Sequence, residues 1–380
     1  MAGSDGSIIG ISHGRFDFAH ILRGLAALSV VISHFVGVFW AVNPGIMDHI
    51  GLPRIASLPP LDPIMSVVVD YRLVFGQFGV GVFFVLSGFV ISLAIEREDR
   101  RTFLIRRLMR VYPAYIVGFL LVMAGLWLAA SLTGQPFQYS MSHILAHTLI
   151  LVRGIVGYLR IDGISWTLEV ELVFYAIMLV YGRDILKNGL AGVTRSVLFI
   201  LGISLTMIVF RIKGFVAMQI SCGLMLASGL VYALHVSKRI DDRQLIQTQA
   251  ILAGLLFFVW LAIKFRLQMP LQWLAGYLLG MAAFAGCYWW YRDRRIGSRV
   301  LHHLADISYP LYVVHGLLGY AVMYWVVVQT PSPYLAIAGA SFAMYLVALA
   351  LHLMIEQPFI RWSRRLTAGV SKMPSLQVAG

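Results

Sequence analysis

Residues 73–95 read LVFGQFGVGVFFVLSGFVISLAI, an apolar run in which no position carries a charge. Coiled as a helix at about 1.5 Å per residue, it reaches roughly 34 Å and covers a hydrocarbon core of about 30 Å. Lipid offers no partner for a backbone N–H or C=O, so a segment immersed in it must satisfy these groups internally, as a helix does. Comparable runs lie at 18–40, 111–132, 166–182, 196–211, 214–236, 246–264, 271–291, 307–328 and 334–356, which makes ten expected spans. The weaker stretch 140–158 carries His143, His147 and Arg153 and reads as an interfacial or re-entrant segment. The expected fold class is all-α integral membrane.

Composition agrees. Of 380 residues, 59% are hydrophobic and 12% charged, about half the charged share of a soluble domain. No polar stretch is long enough for a second core, so the chain divides into a cytoplasmic segment 1–17, a polytopic membrane domain 18–356 and a cytoplasmic tail 357–380. The first seventeen residues lack the layout of a signal peptide, so the first span is expected to stay in the membrane. Cys222 and Cys287 sit in apolar runs as small buried residues, and no disulfide framework is implied. Residues 41–72 form the longest irregular piece and are a candidate lid or acceptor surface.

The net charge of +13 does not signal nucleic acid, because the basic residues cluster in short loops between apolar runs. With the N-terminus inside, cytoplasmic segments hold 21 Lys and Arg and outer segments hold 8, while Arg23 lies within the first span. Counting 140–158 as a crossing would invert every later loop and destroy this asymmetry. Ten crossings with both termini cytoplasmic follow.

An ionisable side chain inside a span costs roughly 2.5–3.5 kcal/mol on insertion scales, so each needs a partner, a water cavity or a function. Arg23 and His34 are eleven positions apart, about three turns plus 20° and some 16 Å along a helix, so they share one face. A snorkelling arginine and a satisfied buried histidine are the alternative. Glu171, in the first turns of the fourth span, is expected at the depth of His34, where a carboxylate would orient the imidazole as a general base for a hydroxyl. Glu169 reads as an acid complementing the N-terminal dipole of that helix. Arg107 and Arg110, at i and i+3, present forked guanidinium groups suited to phosphate oxygens, although positive-inside loops hold such pairs routinely. Ser87 and Gly88 permit close helix packing or a slender ligand. Ser308, Tyr312 and His315 follow one another at helix-like spacing, with Pro310 marking a first turn or a kink. Glu356 is expected at the inner interface, paired with an arginine. His143 and His147 have the i, i+4 spacing of metal ligands without a supporting constellation, so no metal is expected.

Together these pieces resemble acyltransferase family 3, the integral membrane acyltransferases that modify carbohydrates and some antibiotics. The family's R-x10-H pattern is matched by Arg23 and His34 in LRGLAALSVVISHF, and its FFxLSGF segment by residues 83–89. Its RxxR with a following Tyr-Pro pair is matched by Arg107, Arg110, Tyr112 and Pro113, and its SWSLxxExxFY segment by SWTLEVELVFY, which puts the family acid on Glu171. Its late SYPLYLxH and ExP patterns appear at Ser308 to His315 and at Glu356 with Pro358. Thr167 stands where Ser is usual, and Leu172 where a second acid often follows, which weakens any scheme needing paired carboxylates. The C-terminal soluble domain of some members is not matched, so a stand-alone membrane domain is expected.

The resemblance implies an O-acyltransferase of the bacterial inner membrane. Acetyl-CoA, or another short acyl-CoA, would enter from the cytoplasm with its phosphates on Arg107, Arg110 and Arg23. Tyr112, Ser308, Tyr312 and His315 would complete the donor site, and His34 with Glu171 would carry the catalysis. The acceptor would be a carbohydrate or glycolipid hydroxyl outside, with His34 as base or as transient acyl carrier. A secondary transporter or lipid flippase also accommodates ten spans and buried charges. Membrane-bound O-acyltransferases, which also rely on a buried histidine, are not matched in motif order.

Overall fold

The computed structural model describes residues 16–211, 214–294 and 296–368. Arg15, Lys213, Arg295 and Lys372 of the loop-charge comparison lie outside the described residues, as do nearly all of segment 1–17 and the last twelve residues of the tail. The described residues form helices and connections, with no strand among them.

Among the described residues, eight helices are long and apolar enough to cross a membrane. They are α1 (Asp17–Ala41), α4 (Arg72–Arg97), α5 (Arg100–Leu132), α8 (Ser165–Lys187), α9 (Gly189–Val209), α10 (Phe215–Val236), α11 (Asp242–Leu267) and α16 (Pro333–Thr367). Between them lie the short helices α2 (Asn43–Ile50), α3 (Pro63–Asp70), α6 (Met141–Thr148), α7 (Leu151–Ile155) and α13 (Arg299–Asp306). A bent pair, α14 (Ser308–Val314) and α15 (Leu317–Gln329), whose axes differ by 63°, has the length and apolar character of a further crossing when taken as one span. The remaining expected span is α12 (Leu271–Tyr291), a 21-residue helix. It carries no charged residue, but Gln272, Trp273 and a terminal Tyr-Trp-Trp-Tyr run interrupt its aliphatic stretch.

Boundaries follow from capping chemistry. Asp62 accepts from the N–H of Ile64 and Met65 and precedes Pro63, starting α3. Asp99 accepts from Arg101 and Thr102 and starts α5, and Asp241 with Gln244 forms a capping box at α11. Because Asp99 caps it, α5 begins eleven residues before the expected span. At 33 residues it measures about 50 Å, roughly 20 Å longer than the hydrocarbon core. Likewise α16 continues through the expected start of the tail to Thr367. Segment 41–72 is less irregular than expected, since α2 and α3 occupy half of it. Residues 140–158 form only α6 and α7, too short to cross.

The middle of the bundle is α4, against which α1, α10 and α12 pack. Contact is backbone to backbone: a Cβ on Gly88 would sit 2.0 Å from Leu226 O, and one on Gly229 would sit 2.0 Å from Val85 O. Small residues allow this approach where lipid supplies no hydrophobic drive for association. Outward faces keep large apolar groups exposed, among them Phe199, Phe258 and Phe342, as a lipid-facing surface requires. Arg106 Nε donates to Thr367 Oγ1 at 3.1 Å, and Arg23 Nη2 donates to Ala305 O at 2.8 Å. The described ends of the chain thus lie at the same end of the bundle as the arginine-rich start of α5.

Candidate active site

Arg23 projects from the first turns of α1, Arg107 and Arg110 from the overhanging part of α5, and all three line one cavity of about 110 Å³. His20 of α1, Ser87 of α4, Thr167, Glu171 and Tyr175 of α8, and Ser308, Tyr309 and Tyr312 of α14 complete its polar lining. Among the described residues Arg110 has neither a hydrogen bond nor an ion pair. Arg107 lies 3.8 Å from Glu98, and the Nε groups of Arg23 and Arg107 are buried without a partner. Buried guanidinium N–H groups without acceptors cost at least 1–3 kcal/mol each, a penalty that an anion in this cavity would offset. Glu171 Oε1 accepts from Ser87 Oγ at 3.1 Å and from the Tyr175 hydroxyl.

Toward the other end of the bundle the cavity stops at Tyr312, whose hydroxyl is 2.8 Å from Thr167 Oγ1. Tyr312 joins Val30 and Ile164 in a small buried cluster, with Phe83 against it. Beyond it lies His34, half-buried in a π-helical stretch, Ser33–Val38, a deviation frequent at functional sites. Its Nδ1 is 2.8 Å from the Tyr320 hydroxyl, and its ring centroid is 4.8 Å from that of His315. His315 occupies the break between α14 and α15, with Nδ1 3.1 Å from Leu311 O and 2.9 Å from Tyr312 O.

The structure therefore gathers Arg23, Arg107, Arg110, Glu171, Ser308 and Tyr312 in one cavity and sets His34 and His315 together beyond its end. Four placements differ from those expected. Tyr320 rather than Glu171 is the partner of the His34 imidazole. His315 is absent from the arginine cavity and stands against His34, because the helix break turns it there. Tyr112 packs against the apolar core outside the cavity lining. Glu356, fully buried in a second π-helical stretch, pairs with His352 at 2.7 Å and not with an arginine. Sequence reading missed Tyr175, although its i+4 spacing from Glu171 on one helix face signalled it. Tyr320 carried no such signal, since a 63° bend separates it from His315.

A second polar network lies around α6 and α7. Glu169 accepts from Arg153 and, at 2.6 Å, from Arg160, and Gln219 Nε2 donates to it at 3.0 Å. Glu169 is thus the centre of an ion network rather than a simple complement to a helix dipole. His147 Nε2 accepts from the N–H of Ile161 at 3.1 Å, so Nδ1 carries the proton and meets Tyr115 Oη at 3.0 Å. Burial holds the His147 imidazole below its usual pKa. His143 Nε2 is 2.8 Å from Leu159 O. Both histidines are engaged in these bonds, and no group of three metal-ligating side chains occurs among the described residues.

The described residues thus form a helical membrane bundle that holds an arginine-lined cavity beside a histidine pair. The acyltransferase domain of acyltransferase family 3 matches residues 16–354, and the chain belongs to that family. It is also similar to nodulation protein 10 of Rhizobium leguminosarum bv. viciae, 29% identical over 181 residues, a match covering 43% of each chain. The chain thus spans less than half the length of that relative. No solved structure matches.

Proposed function

We propose that this membrane acyltransferase moves an acyl group, acetyl in the simplest case, from an acyl-CoA to a hydroxyl of a carbohydrate or glycolipid. The carrying observation is the convergence of Arg23, Arg107 and Arg110 on one cavity, with Arg110 unpaired among the described residues. The nucleotide phosphates of CoA supply the missing acceptors, and guanidinium forks match them better than ammonium groups would. Glu171, held by Ser87 and Tyr175, lies deeper in the same cavity and orients the amide-bearing pantetheine arm. That arm is long and thin, and it brings the thioester past Phe83 and Tyr312 to His34.

By the distribution of loop charge, the arginine end faces the cytoplasm and the His34 end faces outward in a bacterial inner membrane. Residues 18–356 form the membrane domain between cytoplasmic flanks. A cytoplasmic donor then serves an extracytoplasmic acceptor without either crossing fully.

The test is release of free CoA thiol from acetyl-CoA, together with label transfer to the glycan fraction, in membranes carrying the protein. His34→Ala abolishes both while leaving the protein inserted and monodisperse. Full activity of that variant removes His34 from the reaction. CoA release also separates this reading from a transporter or flippase, which cleaves no thioester.

A further inference from the structure

Resting on the acyl-transfer reading just given, we infer that the two imidazoles divide the chemistry: His315 takes the proton of the acceptor hydroxyl, and His34 donates a hydrogen bond to the thioester carbonyl. The assignment comes from counting protons. Tyr320 is buried, and the partner of its hydroxyl is His34 Nδ1 at 2.8 Å. A buried hydroxyl left without an acceptor costs about 1–3 kcal/mol, so Tyr320 donates to Nδ1. His34 then presents its lone pair at Nδ1 and carries its own proton on Nε2.

His315 has the opposite arrangement. Its Nδ1 faces the carbonyls of Leu311 and Tyr312, which only accept, so Nδ1 bears the proton and Nε2 the lone pair. That Nε2 is buried without a partner, in a residue with 0% of its surface exposed. The two rings adjoin, 4.8 Å apart and inclined at 64°. One therefore offers an open N–H and the other an open lone pair. A hydroxyl meeting a thioester needs both, an acceptor for its proton and a donor for the developing oxyanion.

In the step this implies, the hydroxyl oxygen bonds to the thioester carbon while its proton passes to His315 Nε2. The carbonyl oxygen takes the negative charge and is held by His34 Nε2–H. Collapse breaks the C–S bond, and the departing thiolate removes the proton from His315. Ester and free thiol result, and both rings regain their starting tautomers. Tyr320 is a positioning residue, acting through the tautomer it imposes on His34.

Two substitutions separate this scheme from one in which His34 is the base. His34→Gln places an amide N–H near the Nε2 position, preserving a donor. His315→Asn places an amide near Nδ1, which still caps the Leu311 and Tyr312 carbonyls but takes up no proton. Membrane vesicles from source cells expressing each variant in place of wild type, and so holding the native acceptor, are supplied with labelled acetyl-CoA. His34→Gln is expected to lose less than about 10²-fold, and His315→Asn about 10³-fold or more, at equal amounts of inserted protein. Any other ranking overturns the proposal. Nitrogen-15 NMR of histidine-labelled wild-type protein tests the tautomers without catalysis: a bare Nε2 on His34 refutes the division whatever the vesicles show. Wild-type vesicles that transfer no label refute the acyl-CoA reading instead, and the NMR result still decides the tautomers.

Discussion

Replacing Arg110 by alanine isolates the donor site from the stability of the bundle. Among the described residues Arg110 holds no hydrogen bond or ion pair, so its removal breaks nothing inside the protein. It also relieves repulsion within a cavity lined by Arg23 and Arg107, so the unliganded variant is expected to unfold in detergent no earlier than wild type. The cost falls on the ligand. A hydrogen bond to a charged group contributes about 1.5–3 kcal/mol, and every 1.4 kcal/mol is about tenfold in affinity. Loss of one such contact therefore raises the KM for acetyl-CoA about 10- to 100-fold, with a smaller change in kcat. Arg110→Lys keeps the charge without the fork and falls between the two. Steady-state thiol release gives KM. Thermal unfolding with and without CoA gives an independent reading, because ligand at 100 times its Kd stabilises wild type by about 2.7 kcal/mol. Unchanged KM in Arg110→Ala, or identical behaviour of the alanine and lysine variants, refutes a phosphate contact at this position.

Glu169→Ala leaves Arg153, with 7% of its side chain exposed, as a buried cation without its carboxylate. The expected loss is about 3–5 kcal/mol, read as a fall in Tm of the purified protein. Acidification loosens the segment around α6. His147, kept neutral by burial, takes up a proton more readily unfolded than folded, so its stabilisation is complete above about pH 6.5 and is lost as pH falls toward the lowered folded value. Hydrogen exchange of residues 141–155 should accelerate over that window in wild type and less steeply in His147→Gln. Phe83→Ala opens the apolar partition between cavity and His34, so the preference for acetyl-CoA over butyryl-CoA, measured as a kcat/KM ratio, should shift toward the longer chain.

The sequence by itself determined that the chain is an all-α membrane bundle and which segments are long and apolar enough to be candidate spans, since apolar length is a property of contiguous residues and lipid tolerates only internally bonded backbone. Spacing at the α-helical period also put Arg23 and His34 on one expected face, whereas the structure sets His34 in a π-helical stretch beyond the end of the cavity that Arg23 lines. Contacts between helices are another matter. The matching depths of His34 and Glu171 suggested a pair, yet depth leaves rotation about each helix axis open, and the structure turns Glu171 toward Ser87 and Tyr175. Likewise the SYPLYVVH stretch marked His315 without revealing that the chain breaks there. The break frees its ring to cap two carbonyls and face His34. Position along the membrane normal is written locally, whereas which side chains meet across the bundle depends on crossing angles, breaks and close approaches such as that of Gly88 to Leu226, and these arise only when all the helices pack at once.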